Sequence, residues 1–420
     1  MLRPIPKPSA VTVRSRVPRP GIQWRLAQPM CLLHTGRSST RLTSTHPWAF
    51  VQPKRPSGML SARASCRSIH IPPILLPPVV FTGLLVGLWI WYCVMMVVFQ
   101  NKIIYMPGLP PNSRSERIAD WTNMCGGVRW TEEKTVAADG TKLAMAVTTV
   151  PLPTGRRPTA AAAAAPETSA AAQVYVLYFQ GNASSIPPRL PDLSWVLRAV
   201  SDSKTHTMAP VQLTFVCLSY RGYWTSRGRP SEPGLRLDAE AGVRWIAERH
   251  EHMFGKDGST DPILLVWGQS IGSGVATNLA ATGRVPPSMP IRGLLLETPF
   301  VSIRTMLETL YPQKWLPYKY LWPFLRNHFD SWANLGLVAH ASKEKGVAAP
   351  MVYILEAERD ELVPKEQSER LYKRCVDLGL PVEKGIVPAA YHQQAIARGD
   401  GKKLAAQAVL KLTQRALDGG

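Results

Sequence analysis

The stretch Gly268-Gln269-Ser270-Ile271-Gly272 lies between an apolar run, Pro262–Trp267, and a helix-forming stretch, Ser273–Ala280. A buried strand that runs directly into a serine and then into a helix holds the hydroxyl at the C-terminal edge of a sheet. Glycines two positions before and after the serine let the backbone make this sharp turn without Cβ clashes. The same pattern occurs in ordinary strand-to-helix turns, but its setting here favours a nucleophilic serine.

The basic charge of the chain is concentrated at its N-terminus. The 420 residues carry a formal charge of +20, and residues 1–70 hold twelve of the 49 Lys and Arg residues but no Asp or Glu. Such a segment is expected to be disordered. Its Arg- and Ser-rich, acid-free composition is also typical of a mitochondrial targeting sequence. The basicity therefore indicates targeting or membrane topology, and no nucleic-acid partner is expected.

An uncharged stretch follows the basic segment. No charged side chain occurs from Ile71 to Asn101, and Val79–Phe99 can form a helix of 21 residues. About 30 Å of helix crosses the hydrocarbon core of a bilayer, so we predict a transmembrane helix at 79–99, with a buried core helix as the alternative. Prolines at 72, 73, 77 and 78 predict that no helix begins earlier in the run.

Basic residues flank the predicted membrane helix unequally. Arg55, Arg63 and Arg67 precede it, while Lys102 alone follows it closely. The positive-inside rule then places the N-terminus in the cytosol and the C-terminal domain across the membrane. The expected compartment is the endoplasmic reticulum or secretory pathway. The acid-free N-terminus makes the mitochondrial inner membrane the alternative.

Residues 102–420 alternate between strand-like and helix-like stretches. The first two of eight predicted strands, 127–130 and 143–150, form a hairpin, and each later strand is followed by a helix. This pattern predicts an α/β domain with a mostly parallel eight-stranded sheet and helices on both faces. A low-complexity loop is predicted at 151–172. The aromatic stretch 311–336 is either a cap over the site, a membrane-facing surface or packing on the sheet edge.

Candidate partners for the serine follow later strands. A serine hydroxyl becomes a good nucleophile when an imidazole takes its proton. His392 comes at the end of the last predicted strand, and Glu356, Asp360 and Glu361 come after the strand before it. The order serine, acid, histidine is that of a hydrolase with the strand-to-helix serine. Spacing alone leaves the acid open among the three carboxylates.

A hydrolytic serine also needs N–H donors for the oxyanion of its intermediate. The N–H of Ile271 is one candidate, and the loop after the third strand, with Gln180, Gly181 and Asn182, supplies the other. The one glycosylation sequon begins at Asn182, so it is expected to lie in this loop. The sequence has no C-x-x-C pair, phosphate-binding glycine loop or dinucleotide fingerprint, and no metal or cofactor is expected.

The chain resembles the α/β-hydrolase superfamily, and within it the membrane-anchored branch of bud-emergence-type hydrolases and animal α/β-hydrolase-domain proteins. The matching stretches, in order, are Leu177–Ala183, Ser219–Tyr223, Trp267–Gly274, Leu294–Phe300, Asp360–Pro364 and Tyr391–His392. The resemblance covers roughly residues 100–415. It implies Ser270 as nucleophile, Asp360 as acid and His392 as base, because the family's acid precedes a similar Val/Ile-Pro pair.

Two positions depart from the family pattern. Gln180 stands where the family usually has a histidine. This residue lies in the loop that is expected to supply an oxyanion donor. Trp224 stands where a glycine is common, and it is expected to narrow the pocket.

The resemblance implies a membrane-anchored serine hydrolase that cleaves a lipid-type carboxylic ester or thioester. Its expected partners are a lipid or acylated substrate and the bilayer. The alternatives are a non-catalytic membrane-anchored scaffold, which predicts a closed pocket or a histidine out of reach of the serine, and a serine peptidase.

Overall fold

A computed structural model of the chain describes residues 72–152, 172–202, 210–255, 262–313 and 315–418. The predicted segment 1–70 lies outside these residues, as does nearly all of the predicted insertion 151–172.

In the described part of the chain, eight strands form one sheet. They are β1 (Thr131–Val136), β2 (Lys142–Leu152), β3 (Ala172–Phe179), β4 (Val211–Leu218), β5 (Ile263–Gln269), β6 (Ile291–Glu297), β7 (Met351–Ala357) and β8 (Val382–Val387). The same residue ranges contain nine α-helices. They are α1 (Leu76–Val98), α2 (Gln100–Tyr105), α3 (Leu190–Ser201), α4 (Glu232–Phe254), α5 (Ile271–Thr282), α6 (Ile303–Leu310), α7 (Ser331–Lys345), α8 (Lys365–Leu378) and α9 (Gly399–Asp418).

The sheet has the strand order β1-β2-β4-β3-β5-β6-β7-β8. Strand β2 pairs antiparallel with β1 and β4, and all other neighbours pair in parallel. This is the α/β-hydrolase fold, and the predicted fold class is confirmed. In such a sheet the carboxyl ends of the parallel strands meet at one edge, where loops bring functional side chains together.

Helices cover both faces of the sheet. On one face, α4, α5, α7 and α8 pack over a cluster that includes Leu177, Val266 and Ile354. On the other face, α3 and α9 pack over a cluster that includes Trp267 and Tyr353. The strands from β3 to β7 are therefore mostly apolar along their length, because both of their faces are buried.

Helix α1 is the one helix in the described residues that is long and apolar enough to cross a membrane. The span Pro73–Val98 has a mean hydropathy of 2.1, and almost none of it is buried against the rest of the chain. The helix begins at Leu76, three residues before the predicted start. The prolines at 77 and 78 lie in its first turn, where the backbone N–H groups have no partner within a helix and proline is tolerated.

The structure corrects the first strand. It lies at Thr131–Val136, not at 127–130, although its hairpin with β2 is as predicted. The sequence Thr-Glu-Glu-Lys-Thr-Val is that of a solvated edge strand, whose charged side chains hide the apolar pattern. Two helices, α2 and α7, were not predicted. Helix α7 takes up the end of the aromatic stretch, and the part before it contains two short 3-10 helices, Tyr318–Tyr320 and Trp322–Phe324.

Candidate active site

Ser270 lies between β5 and α5 in a backbone conformation that few residues adopt. Its φ is 52°, and its N–H donates to the carbonyl of Glu297 on the neighbouring strand at 2.8 Å. A Cβ at Gly268 would lie 2.1 Å from the carbonyl oxygen of Gly272, and one at Gly272 would lie 2.2 Å from that of Phe179. The two glycines are therefore required by close backbone approaches that hold the strained turn.

The structure brings Ser270, His392 and Asp360 into one hydrogen-bonded chain. His392 Nε2 lies 2.9 Å from Ser270 Oγ, and His392 Nδ1 lies 2.8 Å from Asp360 Oδ2. All three side chains are largely buried. The geometry lets the imidazole accept the serine proton at one nitrogen while the carboxylate orients the other.

The three carboxylates that spacing left open have different surroundings. Asp360 faces the imidazole, and its second oxygen accepts the N–H groups of Leu362 and Val363 at 3.0 and 2.7 Å. Glu356 points away, and it accepts the Ser368 hydroxyl at 2.5 Å. Within this geometry Asp360 alone occupies the place of the acid.

Glu361 has a role that spacing could not show. Its carboxylate accepts the backbone N–H of His392 at 2.9 Å. Glu358 does the same for Ala389 at 2.6 Å, and the N–H of Arg359 donates to the carbonyl of Ala390 at 2.9 Å. These hydrogen bonds hold the loop after β8 against the loop after β7, and they fix the backbone position of His392.

The candidate oxyanion donors divide into two groups. Ile271 is the first residue of α5, where N–H groups lack helical partners, and it lines the cavity at Ser270 together with Asn182. A Cβ on Gly181 would lie 3.7 Å from Ser270 Cβ, so this loop passes directly beside the serine. The Gln180 side chain is buried within the loop, its amide 3.5 Å from the carbonyl of Ala183, and it is not part of the cavity wall.

The Ser270 hydroxyl and His392 lie in a cavity of about 300 Å³. Apolar side chains from α2, α6 and the loop after β7 form most of its wall, among them Ile104, Ile303, Leu307 and Val363. An apolar pocket with a few convergent polar groups favours a substrate with an aliphatic part next to a carbonyl.

The expectation that Trp224 narrows the pocket is wrong. Trp224 is fully buried in the cluster beneath α3, and its indole N–H donates to the carbonyl of Glu116 at 2.7 Å. A buried aromatic there stabilises the turn after β4 and leaves the cavity at Ser270 unaffected.

A buried ion pair lies behind the serine turn and was not predicted. Arg189 pairs with Glu297, which also accepts the indole N–H of Trp267 at 3.1 Å. Burial alone would lower the pKa of Arg189, but Glu297, Tyr178 and Asp192 together outweigh burial, and the pKa is raised. Because the carbonyl of Glu297 accepts the Ser270 N–H, this pair stabilises the strand end that supports the nucleophile. The only sequence signal is a charged residue, Glu297, ending an apolar strand.

The fold and the site define an α/β-hydrolase-fold protein. Its homologues include the bem46 and ABHD12 proteins, which confirms the resemblance. Protein bem46 of Schizosaccharomyces pombe is 28% identical over 202 residues, which are 48% of this chain and 56% of bem46. Lysophosphatidylserine lipase ABHD12 of Mus musculus is 34% identical over 161 residues, 37% of this chain and 36% of that protein. The uncharacterized membrane protein YNL320W of Saccharomyces cerevisiae is 31% identical over 157 residues, 37% and 47% of the two chains.

The chain spans about half the length, or less, of these curated relatives. No protein-family model matches it. Among solved structures, an α/β hydrolase from Vibrio vulnificus aligns with a TM-score of 0.48 at 17% identity, covering 76% of this chain and 92% of that one. An esterase of Pyrococcus furiosus aligns with a TM-score of 0.45 at 14% identity, covering 70% and 93%.

Proposed function

We propose that the protein is a membrane-anchored serine hydrolase that cleaves a carboxylic ester or thioester of a lipid through an acyl-enzyme on Ser270. One observation carries this proposal. The serine, His392 and Asp360 are joined by hydrogen bonds of 2.9 and 2.8 Å, and the serine and the histidine line an apolar cavity. Neither bond requires rearrangement before a substrate carbonyl could be attacked.

The proposed reaction uses these groups in two halves. His392 Nε2 takes the proton of Ser270 as Oγ attacks the carbonyl carbon, and the N–H of Ile271 with an N–H of the Gln180–Asn182 loop stabilises the oxyanion. His392 then gives the proton to the departing alcohol or thiol. Water, deprotonated by the same nitrogen, attacks the acyl carbon, and His392 returns that proton to Ser270 Oγ as the acid leaves. Asp360 holds the imidazole in orientation through its bond to Nδ1.

A lipid-type substrate is supported by the cavity and by the relatives. The wall near Ser270 is mostly apolar, which suits an acyl chain better than a peptide backbone with its polar groups. ABHD12, one of the relatives, is a lysophosphatidylserine lipase by name. These observations favour an ester hydrolase over the alternative of a peptidase.

The alternative of a non-catalytic scaffold predicts that the pocket is closed or that His392 lies out of reach. The 2.9 Å between His392 Nε2 and Ser270 Oγ weighs against it, as does the cavity above them. Gln180 and Trp224, the two departures from the family pattern, both lie outside the cavity wall.

Labelling with a fluorophosphonate tests the proposal. The intact chain in detergent is expected to label on Ser270, while Ser270→Ala is expected not to label. Ser115→Ala, which removes an exposed serine outside the cavity, serves as the matched control. Folded wild-type protein that fails to label would contradict the proposal.

For location, we propose that α1 spans the membrane with the N-terminus in the cytosol and the hydrolase domain in the lumen of the secretory pathway. The alternative is the mitochondrial inner membrane. Fusing residues 1–105 to a fluorescent reporter distinguishes the two, since a mitochondrial signal would rule out the first.

A further inference from the structure

A second apolar cavity lies beside the first, against the membrane helix. It measures about 70 Å³, and its wall combines the last turn of α1, helices α2 and α6, and the residues between Tyr311 and Leu325. Met96 and Val97 supply the membrane-helix side of the wall, and Leu321 and Leu325 face them. Its small volume is that of a narrow passage and not of a chamber for a whole ligand.

The two cavities share one wall. Ile103, Ile104, Ile303, Leu307 and Tyr311 line both of them. Four of these five side chains are aliphatic, and their shared surface joins the serine cavity to the last turn of α1. An apolar surface is thus continuous from the membrane helix to Ser270.

The outer end of this surface lies beside the C-terminal part of α1. The hydroxyls of Tyr92 and Tyr318 are hydrogen-bonded, which places the segment after α6 beside a point about 9 Å before the end of α1. In that segment Trp315 is 75% exposed and Phe324 60%, and Tyr320 and Trp322 are exposed as well. Exposed aromatic side chains beside a spanning helix are typical of the headgroup region.

Polar contacts fix the junction between helix and domain. Gln100 donates to the carbonyls of Val97 and Phe324 at 2.9 and 3.1 Å, and its carbonyl accepts the N–H of Arg326 at 2.7 Å. The Arg326 guanidinium donates to the last carbonyls of α1, Val97 and Val98, at 3.0 and 3.1 Å. The carbonyls that a helix end leaves unpaired are therefore satisfied by the domain itself.

From these observations we propose that the outer cavity is an acyl-chain passage. One hydrocarbon chain of a bilayer lipid ester enters beside Val97 and Leu325, passes over the shared wall, and presents its carbonyl to Ser270. The lipid reaches the serine from the plane of the membrane and not from solution. This inference rests on the proposed hydrolase function and assigns its substrate to lipids resident in the bilayer.

The test narrows the passage without touching the serine cavity. Leu325 lines only the outer cavity, so Leu325→Trp is expected to hinder long chains and spare short ones. The full chain is reconstituted into phosphatidylcholine vesicles that contain a palmitoyl ester, and p-nitrophenyl butyrate is assayed in parallel. Each methylene group that is kept out of its apolar site lowers kcat/KM about four-fold. The kcat/KM for the palmitoyl ester should therefore fall about ten-fold or more. Butyrate hydrolysis and fluorophosphonate labelling should stay unchanged.

Two further variants keep the result interpretable. Leu337→Trp adds an indole to an exposed position on α7 and should change neither rate. Leu325→Ala adds no bulk, and it should lower palmitoyl hydrolysis several-fold because apolar contact is lost. An unchanged ratio of palmitoyl to butyrate hydrolysis in both Leu325 variants would overturn the passage. Wild-type protein that neither labels nor cleaves either ester would instead overturn the hydrolase function.

Discussion

Ser270 owes its position to backbone contacts more than to its own side chain. A non-glycine residue at φ 52° costs about 1–3 kcal/mol and persists only where its surroundings enforce it. Here the enforcement comes from the carbonyl of Glu297 and from two glycines that no larger residue could replace without a clash. The motif can be recognised in the sequence because these contacts require a glycine at both of its ends.

The two carboxylates near His392 should respond differently to loss of charge. Asp360→Asn presents an amide to Nδ1 and favours the wrong tautomer, so kcat should fall by about 10⁴-fold. Glu361→Gln keeps an oxygen that can accept the His392 N–H, so kcat should stay within a few-fold of wild type. Steady-state rates on a soluble ester measure both. An equal loss in the two variants would show that Asp360 is not the acid.

Among the elements, the buried parallel strands were predictable and the edges were not. Strands β3 to β7 show mostly apolar runs, and α3 and α6 were predicted at their observed bounds. Strand β1 is polar because it lies at the edge, and α7 begins inside an aromatic stretch that resembles an irregular insertion. The spacing of apolar residues in the sequence follows from burial against the sheet faces. Where an element is half exposed to solvent, this spacing predicts little.

The candidate site shows the same division. Ser270 and His392 could be predicted because each follows a strand in a fixed chain order, and Asp360 because its neighbours match a family pattern. Arg189 pairs with Glu297, and Glu361 contacts His392. In each pair the two residues are more than 30 positions apart in the sequence. No local signal marks such partners. The wrong expectation for Trp224 has the same origin, because a residue's neighbour in sequence does not reveal which side of the sheet its side chain faces.

The link between β4 and α4 depends on a buried ion pair. Arg221 Nη2 lies 2.8 Å from Asp238 Oδ1, and Asp238 also accepts the Arg221 N–H at 2.8 Å. Arg221→Ala leaves the fully buried carboxylate unpaired and should lower the free energy of unfolding by about 3–5 kcal/mol.

Urea unfolding in detergent measures this loss. Arg244→Ala removes an exposed partner of Glu248 and should change stability by less than about 1 kcal/mol. Equal midpoints for the two variants would contradict the importance of the buried pair.

At the scale of the whole molecule, Asn327 joins α2, which directly follows α1, to the α/β domain. Its carbonyl accepts the Tyr105 hydroxyl and the Glu232 N–H, both at 2.8 Å, and its amide donates to Asn101 at 2.7 Å. Asn327→Ala leaves the buried Tyr105 hydroxyl unpaired, which should cost about 1–3 kcal/mol.

Thermal unfolding of the detergent-solubilised chain measures this cost, and proteolysis should become faster between α2 and the domain. Gln414→Ala removes one exposed hydrogen bond on α9 and is the matched control. A melting temperature equal to that of the control would argue against a rigid junction.

The bonded junction at Gln100 and Arg326 has a kinetic consequence for a chain anchored as proposed. A domain on a flexible stalk would sample a volume of solution, whereas this one would hold Ser270 at one height above the lipid surface. Turnover would then follow the mole fraction of substrate in the membrane, not its bulk concentration. Diluting the substrate with inert lipid would slow the enzyme, while adding more vesicles of the same composition would not raise its rate.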